Sequence, residues 1–417
     1  MSNDFFKVLP VDEVVELLQA FPRMAEQSVP LEDAWHRVLA ADVRAPEDLP
    51  MANRAAMDGY AVRAADTFGA SEANPAYLDC VGRVDIETPA TFAVQPGQCA
   101  AIVTGGILPE GTDAVMMVEY THELGAGTIE MRRTVPPAEH VMLRGEDAVA
   151  GGVALPAGTP VRAQEVGLLA AVGAVQVVVR KQPRVAILST GDEIIPAHET
   201  PRMGQVRDVN SHTLACLARH AGAEVELLGI VPDNLEALAQ ALRLALQRAD
   251  VVLLSGGSSV GVRDFTVGAL QQLGNARVLC HGVALSPGKP LILADAGGKA
   301  VWGLPGQVTS AQVVMLVLGQ PFLRHLAGRD GAFEQQRWPA RRAVLARNVA
   351  SRQGREDYVR IRLEARPGQL PQAVPVLGKS GLLRTLTGSH GVVRIASGSE
   401  GLLAGTEVDV LLFEGGR

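Results

Sequence analysis

The sequence predicts a multidomain α/β protein whose central domain is a mainly parallel sheet covered by helices, and three observations predict it. The chain has 417 residues, well beyond the roughly 250–300 at which a single hydrophobic core stops growing. Between residues 183 and 326, continuous apolar runs alternate with amphipathic stretches, the pattern of strands buried on both faces by crossover helices. On either side the rhythm changes to short β-like runs broken by Gly and Pro, as in small antiparallel sheets.

The elements follow in order. Residues 11–21 carry apolar positions at helical spacing before Pro22, and a second helix is expected to carry Leu31, Trp35 and Leu39 before Pro46. From about 58 to 140 the runs are short and β-like, among them 99–104 and 114–118, which reads as a β-rich inserted domain. A Gly-rich segment and a helix at 163–171 follow, so 1–57 and 141–180 are read together as one discontinuous mixed domain. The α/β domain spans 181–328, with strands at 185–188, 225–230, 251–254 and 290–294, helices at 211–221, 235–248 and 265–273, and a closing helix at 310–326. Short strands and turns over 335–417 predict a small C-terminal β domain.

Composition excludes several functions. Hydrophobic residues at 47% and charged residues at 20% fit a soluble globular chain, and no apolar run reaches the roughly 18–20 residues that span a bilayer. Before the first apolar stretch stand Asp4 and a single base, Lys7, which is not a signal peptide; a cytoplasmic protein with no membrane partner is expected. A net charge of −7 argues against a nucleic-acid partner. Cys80, Cys99, Cys216 and Cys280 form no C-x-x-C pair and the nine histidines no H-E-x-x-H, so neither a disulfide framework nor a zinc site is suggested. Any metal handled here should meet oxygens or a bound molecule. Only five lysines occur, Lys7, Lys181, Lys289, Lys299 and Lys379, so a lysine inside a Gly-rich turn stands out.

In a parallel α/β sheet, ligands bind outside the carboxyl ends of the strands. Four polar, Gly-rich loops are expected there. Ser189-Thr190-Gly191-Asp192-Glu193 offers hydroxyls, open backbone amides and two carboxylates. Ser255-Gly256-Gly257-Ser258 runs on to Asp264, an anion nest followed by a carboxylate able to hold Mg²⁺ on a phosphate. Ser286-Pro287-Gly288-Lys289-Pro290 is a stiff turn presenting one cation. Gly303-Leu304-Pro305-Gly306 leads into a helix whose first amides suit an anion. Each alone is more often just a turn, and Asp192, Glu193 and Asp264 alone are often only helix caps. Four together, pairing anion donors with carboxylates, point to a phosphorylated ligand with Mg²⁺. None of the loops is a Walker A or a G-x-G-x-x-G motif.

These segments resemble the MoeA/gephyrin family of molybdopterin molybdenumtransferases over nearly the whole chain. Arg54-Ala55-Ala56-Met57-Asp58-Gly59-Tyr60-Ala61 is similar to the family's S-A-M-D-G-Y-A, and the segment from Thr104 to Val115 to its T-G-x-x-x-P-x-G-A-D-A-V. Arg144-Gly145-Glu146-Asp147 matches R-G-E-D, and the four loops, with Asp208 and Asn210, follow in family order. The resemblance implies an elongated homodimer of four domains, its α/β domain like that of molybdopterin-adenylating enzymes. It implies a reaction in which adenylylated molybdopterin and molybdate give molybdenum cofactor and AMP with Mg²⁺. A molybdopterin-adenylating enzyme and apo-molybdoenzymes are the implied partners.

Carried residue by residue, the resemblance implies catalytic roles for Asp192, Glu193, Asp264 and Lys289. Pterin-nucleotide contacts fall on Asp58 and Thr104; on Ser189, Thr190 and Gly191; on Asp208 and Asn210; on Ser255, Gly256, Gly257 and Ser258; on Pro287 and Gly288; and on Pro305 and Gly306. Molybdate falls on Lys289, Ser310, Arg360 and Ser380, and Mg²⁺ on Glu193, Asp264, Asp147 and Asp233. The molybdenum should end on the pterin's sulfurs, soft ligands the protein need not supply. Three positions depart from the family: Ser286 replaces a lysine of K-P-G-K, Gln307-Val308 replaces N-P, and Arg384 replaces a serine. The charge lost at Ser286 is one that Arg384 or Lys379 could restore. A pterin-binding scaffold, or a nucleotide or pterin hydrolase on the same fold, are the alternatives.

Overall fold

The computed structural model describes residues 8–256, 260–334 and 338–413, without the side chains of 260–264. The chain forms two compact units, one of Met1–Gln27, His36–Val38 and Val179–Arg417, the other of Ser28–Trp35 and Leu39–Val178. No helix among the described residues is long and apolar enough to cross a membrane.

The first helix, α1 (Val11–Gln19), forms as expected and buries Val14 and Leu18 in the α/β core beside Leu214 and Phe322. The second N-terminal helix does not form. Leu31–Asp33 makes one 3₁₀ turn, His36 takes a left-handed φ of 62°, and Trp35 is exposed. The i, i+4, i+8 spacing of Leu31, Trp35 and Leu39 is therefore fortuitous: a non-Gly residue at positive φ ends any right-handed helix.

The second unit is built on a six-stranded sheet. Its strands are β1 (Gly59–Val62), β2 (Ala76–Val84), β3 (Gln98–Ile102), β4 (Ala114–Met117), β5 (Thr121–Gly125) and β6 (Thr128–Met131), in the order β4-β1-β3-β2-β6-β5. Ala114 and Met116 enter one apolar cluster while Val115 enters another, so β4 is buried on both faces and reads as an unbroken apolar run. Helix α2 (Ala163–Ala171) begins with a reach-back contact. Glu165 accepts the Arg162 backbone N–H at 2.8 Å and the Arg162 guanidinium at 2.5 Å. That pairing holds the Glu165 carboxyl down at about 2. A carboxyl depressed below its unfolded value stabilises the fold above that value, and the contribution fades as pH falls through the folded one. Glu165→Gln should therefore lower stability by about 1 kcal/mol at neutral pH, as for other lost caps. In thermal melts the gap from the parent should close between the ordinary glutamate value of 4.5 and about 2; a gap that stays constant with pH refutes the assignment.

The other unit continues with β7 (Arg184–Thr190), α3 (Asn210–His220), β8 (Glu224–Val231), α4 (Leu235–Arg248), β9 (Val251–Gly256), α5 (Val260–Gln271), β10 (Ala276–His281), β11 (Leu285–Ser286), β12 (Ile292–Ala296) and β13 (Ala300–Leu304). The α/β sheet has the order β8-β7-β9-β13-β12-β10. The first four strands are parallel; β12 is antiparallel to β13, and β10, antiparallel to β12, runs with the first four. Alternate residues feed opposite layers. Ile187 and Leu253 face α1 and α3, whereas Leu188 and Leu254 face α4 and α5, which is why these strands are apolar throughout. The closing helix is one helical run made of α6 (Val308–Val314), a π segment (Met315–Gly319) and α7 (Gln320–Leu326). Pro321 lies at the start of α7 and has no N–H to give, which accounts for the shifted ladder before it.

The C-terminal strands are β14 (Ala340–Leu345), β15 (Glu356–Glu364), β16 (Gln372–Pro375), β17 (Gly391–Ile395) and β18 (Glu407–Leu412), with the short helix α8 (Arg384–Thr387) before β17. The pairing β15-β16-β14-β18-β17 returns to β15, so the five strands close into a barrel that leaves none of them with an open edge. Ile361, Ala373, Val393 and Val410 fill it. Strand β11 adds to β15 in parallel, with Ser286 opposite Asp357, and this pairing fixes the barrel against the α/β layer.

Candidate functional site

The sheet register lines the loops up. Ser189 on β7 pairs with Ser255 on β9, and Ser255 with Leu304 on β13, so three parallel strands end on one edge. The turn at 286–290 lies between the short strand β11 and β12 and does not follow any of these three strands. It nevertheless reaches the same edge, because β12 is antiparallel and Ile292 pairs with Gly303.

Two cavities open there. The first, about 540 Å³, is lined by Ser189, Glu193, Asp208, Asn210, Ser255, Gly256 and Gly306 among others. Asp208 organises it: one carboxylate oxygen accepts the Ser189 hydroxyl at 2.8 Å and the other the Ser211 N–H at 3.1 Å, which fixes the start of α3 against the end of β7. The Asn210 amide donates to Ser255 Oγ at 2.8 Å and to the Gly306 carbonyl at 2.9 Å, while its Oδ1 is buried with no partner among the described residues. A Cβ on Gly256 would sit 1.8 Å from the Thr190 carbonyl oxygen, so only glycine allows the two strand ends this approach. Behind the cleft, Thr190 donates to Asp233 at 2.7 Å and the Asp233 N–H donates to Asp192 at 3.1 Å. The Glu193 carboxylate lies over Gly191, with Oε2 2.8 Å from where a Cβ would be. Pro305 is buried behind Gly306.

The second cavity, about 490 Å³, is lined by Pro287, Gly288, Lys289, Ser310 and Ser380, with Arg352 and Arg355 from the barrel. The Thr309 N–H donates to the Ser380 carbonyl at 3.1 Å. Val308 and Gly381 face the first cavity and Ser310 and Ser380 the second, so that contact is their common wall. Three of the four expected molybdate residues therefore come together.

Arg360 does not line this cavity. Its guanidinium is spent on Thr385 Oγ1 at 2.7 Å and the Gly378 carbonyl at 2.8 Å, and burial pulls its pKa down. It braces the loop that carries Ser380. Lys379 and Arg384 are exposed and line neither cavity, so neither restores the charge missing at Ser286. Arg352 and Arg355 were not foreseen. Burial works to raise the pKa of neighbouring Asp357, but hydrogen bonds from Ser286 and Ser351 and the adjacent Arg355 outweigh it, and the carboxyl stays below its usual range.

The remaining candidates belong to the second unit or fall outside the described residues. Asp58 and Thr104 belong to the second unit, where Asp58 Oδ1 accepts the Thr104 N–H at 2.7 Å and hydroxyl at 2.8 Å. Those two bonds hold the Asp58 carboxyl below its ordinary value. Asp147 is exposed in the same unit. Gly257 and Ser258 lie outside the described residues, as does the side chain of Asp264. Among the described residues, no three carboxylates, histidines or thiols converge on one point.

An α/β layer with a polar cleft and a cation-lined cavity at its strand ends, followed by a small closed barrel, defines a class of multidomain α/β proteins. Residues 9–173 match the family described as MoeA N-terminal region (domain I and II), 186–325 that of the probable molybdopterin binding domain, and 342–413 the MoeA C-terminal region (domain IV). A molybdopterin molybdenumtransferase of Nostoc sp. is 37% identical over 316 residues, 74% of this chain and 72% of that one. One of Bacillus subtilis is 32% identical over 410 residues, 97% of this chain and 94% of that one. A MoeA crystal structure from Pyrococcus horikoshii superimposes with a TM-score of 0.80 at 30% identity, over 98% of this chain and 100% of that one. The chain belongs to the MoeA family of molybdopterin molybdenumtransferases.

Proposed function

We propose that this transferase inserts molybdenum into molybdopterin by taking adenylylated molybdopterin and molybdate to molybdenum cofactor and AMP in a Mg²⁺-dependent reaction. The single observation carrying this reading is the shared wall between a cleft suited to a pterin nucleotide and a cavity suited to a tetrahedral dianion. Lys289, Ser310 and Ser380 would hold molybdate. Ser189, Asn210, Ser255, Gly256 and Gly306 would hold the pterin nucleotide, with Thr190, Gly191 and Asp208 setting the geometry of that cleft. Asp58, Thr104, Gly257, Ser258, Pro287, Gly288 and Pro305 complete the proposed substrate contacts. Arg360 is assigned as the brace for the Ser380 loop.

Mg²⁺ takes one or two protein carboxylates and completes its shell with water and substrate phosphate, so a three-carboxylate cage is not required. Glu193 and Asp264 would hold the ion, backed by Asp192 and Asp233 with Asp147 as the further candidate. The ion would neutralise charge at the phosphoanhydride. The residues' own part is electrostatic: a fixed cation and hydroxyls hold one oxyanion beside the pterin nucleotide, so that little reorganisation remains when the bond breaks. We read the protein as a cytoplasmic homodimer of four domains at the boundaries given above. A molybdopterin-adenylating enzyme would supply its substrate and apo-molybdoenzymes would take its product.

Purified protein supplied with adenylylated molybdopterin, Mg²⁺ and molybdate should release AMP together with active cofactor. Pterin binding without AMP release would mark a scaffold instead, and AMP release without metal uptake a hydrolase. Asp264→Ala should slow AMP release about tenfold or more at low Mg²⁺ and partly recover at high Mg²⁺, as loss of a charged ligand predicts. Equal rates in parent and variant across a Mg²⁺ titration would remove Asp264 from the site.

A further inference from the structure

We propose that Arg352 supplies the second positive charge to the oxyanion held by Lys289, so that a turn of the C-terminal barrel, 351–355, is part of the molybdate site. The inference rests on reading the 490 Å³ cavity as that site.

The argument is a charge count on the cavity wall. Three cations line it: Lys289, Arg352 and Arg355. Arg355 is already paired, its Nε 3.2 Å from Asp357 Oδ2. The Ser286 and Ser351 hydroxyls also turn to Asp357, so Ser286 brings neither charge nor a free donor to the cavity. Lys289 and Arg352 make no side-chain hydrogen bond or ion pair among the described residues. Once Arg355 and Asp357 cancel, these two leave two unspent positive charges, the complement of a tetrahedral oxyanion of charge −2.

The hydroxyls agree with the charges. Ser310 is 6% exposed and faces the cavity, and among the described residues neither its hydroxyl nor that of Ser380 makes a side-chain hydrogen bond. A hydroxyl that faces a cavity without a protein partner is available to donate to a ligand there. Lys289 gives a point charge, whereas a guanidinium presents a planar fork that can bind two oxygens of one anion at once.

The backbone holds Arg352 in place for this. The Ser351 N–H donates to Glu400 at 2.7 Å and the Gly354 N–H to Ser397 at 2.8 Å, so the turn is tied at both ends. The Glu356 N–H donates to the Ala284 carbonyl at 2.9 Å, beside the paired Ser286 and Asp357. The two cation-bearing turns are thus joined by a strand pair while their side chains stay free. A chain with Ser286 in place of a lysine has its second cation delivered from 66 positions further along.

The test is titration calorimetry of sodium molybdate alone into the full chain, followed by turnover with the pterin nucleotide. Arg352→Ala should weaken molybdate about tenfold or more, the scale of a lost charged hydrogen bond. It should raise KM for molybdate with kcat at saturation and melting temperature unchanged. Arg352→Lys should recover part of the affinity, and Arg352→Ala with Ser286→Lys most of it, whereas Lys379→Ala and Arg384→Ala should bind as the parent does. Parent-like affinity in Arg352→Ala, with binding lost in Lys289→Ala, overturns the inference and leaves the cavity reading standing. Parent-like affinity in both variants removes the cavity reading and the inference together. A fall in kcat and melting temperature that neither lysine rescues would make Arg352 structural and also overturns it.

Discussion

Lys289→Ala is expected to raise the KM for molybdate by about 10- to 100-fold while pterin-nucleotide affinity stays at the parent value. The range corresponds to a charged hydrogen bond worth about 1.5–3 kcal/mol. The change should be confined to the anion because the turn does not depend on this side chain. The Lys289 carbonyl accepts both the Val283 and Leu291 N–H groups at 2.9 Å, and these backbone bonds survive truncation. Gly288 at φ 140°, with a Cβ position 2.7 Å from Val314, anchors the turn against the start of the closing helix. Molybdate kinetics, pterin binding by fluorescence and a thermal melt separate the possibilities. Loss of all three together would mean a folding defect, and an unchanged molybdate KM would remove Lys289 from the site.

The parts of this site that were legible in the sequence are those whose residues are local. Runs such as 185–188 and 251–254 declare themselves because both faces are buried, and the polar residues closing them, Ser189 and Ser255, then mark strand ends. Strand β13 escaped notice because only the Gly297-Gly298 turn separates it from β12, and β10 because it is a half-exposed edge strand. The second N-terminal helix was overread because apolar spacing is silent about a left-handed residue such as His36. The surroundings of the cations depend on distant residues instead. Whether Arg360 points into a cavity or braces a loop depends on Thr385 and Gly378, and whether Arg352 reaches Lys289's cavity depends on the β11–β15 pairing. Neither is a property of a motif. Family likeness names residue types, and geometry decides which of them are spent on protein partners.

Replacing Asn210 should have the opposite selectivity. Asn210→Ala is expected to weaken the pterin nucleotide by about 10- to 100-fold and leave molybdate binding unchanged. The amide has one possible orientation: the Gly306 carbonyl can only accept, so Nδ2 must face it and Oδ1 must face the other way. Among the described residues that oxygen is buried and unpaired, an arrangement costing about 1–3 kcal/mol that a ligand N–H would relieve. A pterin ring edge carries such donors, while a phosphate or a metal oxyanion does not. Asn210 thus joins the ends of β9 and β13 through Ser255 and Gly306, and on the proposed reading its acceptor would serve the ring. Asn210→Asp should be worse than Asn210→Ala in the ligand-free protein, because an oxygen replaces the donor at Gly306 and a carboxylate is buried without a cation. The order Asn above Ala above Asp in melting temperature, with pterin affinity falling in both variants, is the expected pattern. Native pterin affinity in Asn210→Ala would show that the unpaired oxygen meets no ligand and that the cleft binds its substrate by another edge.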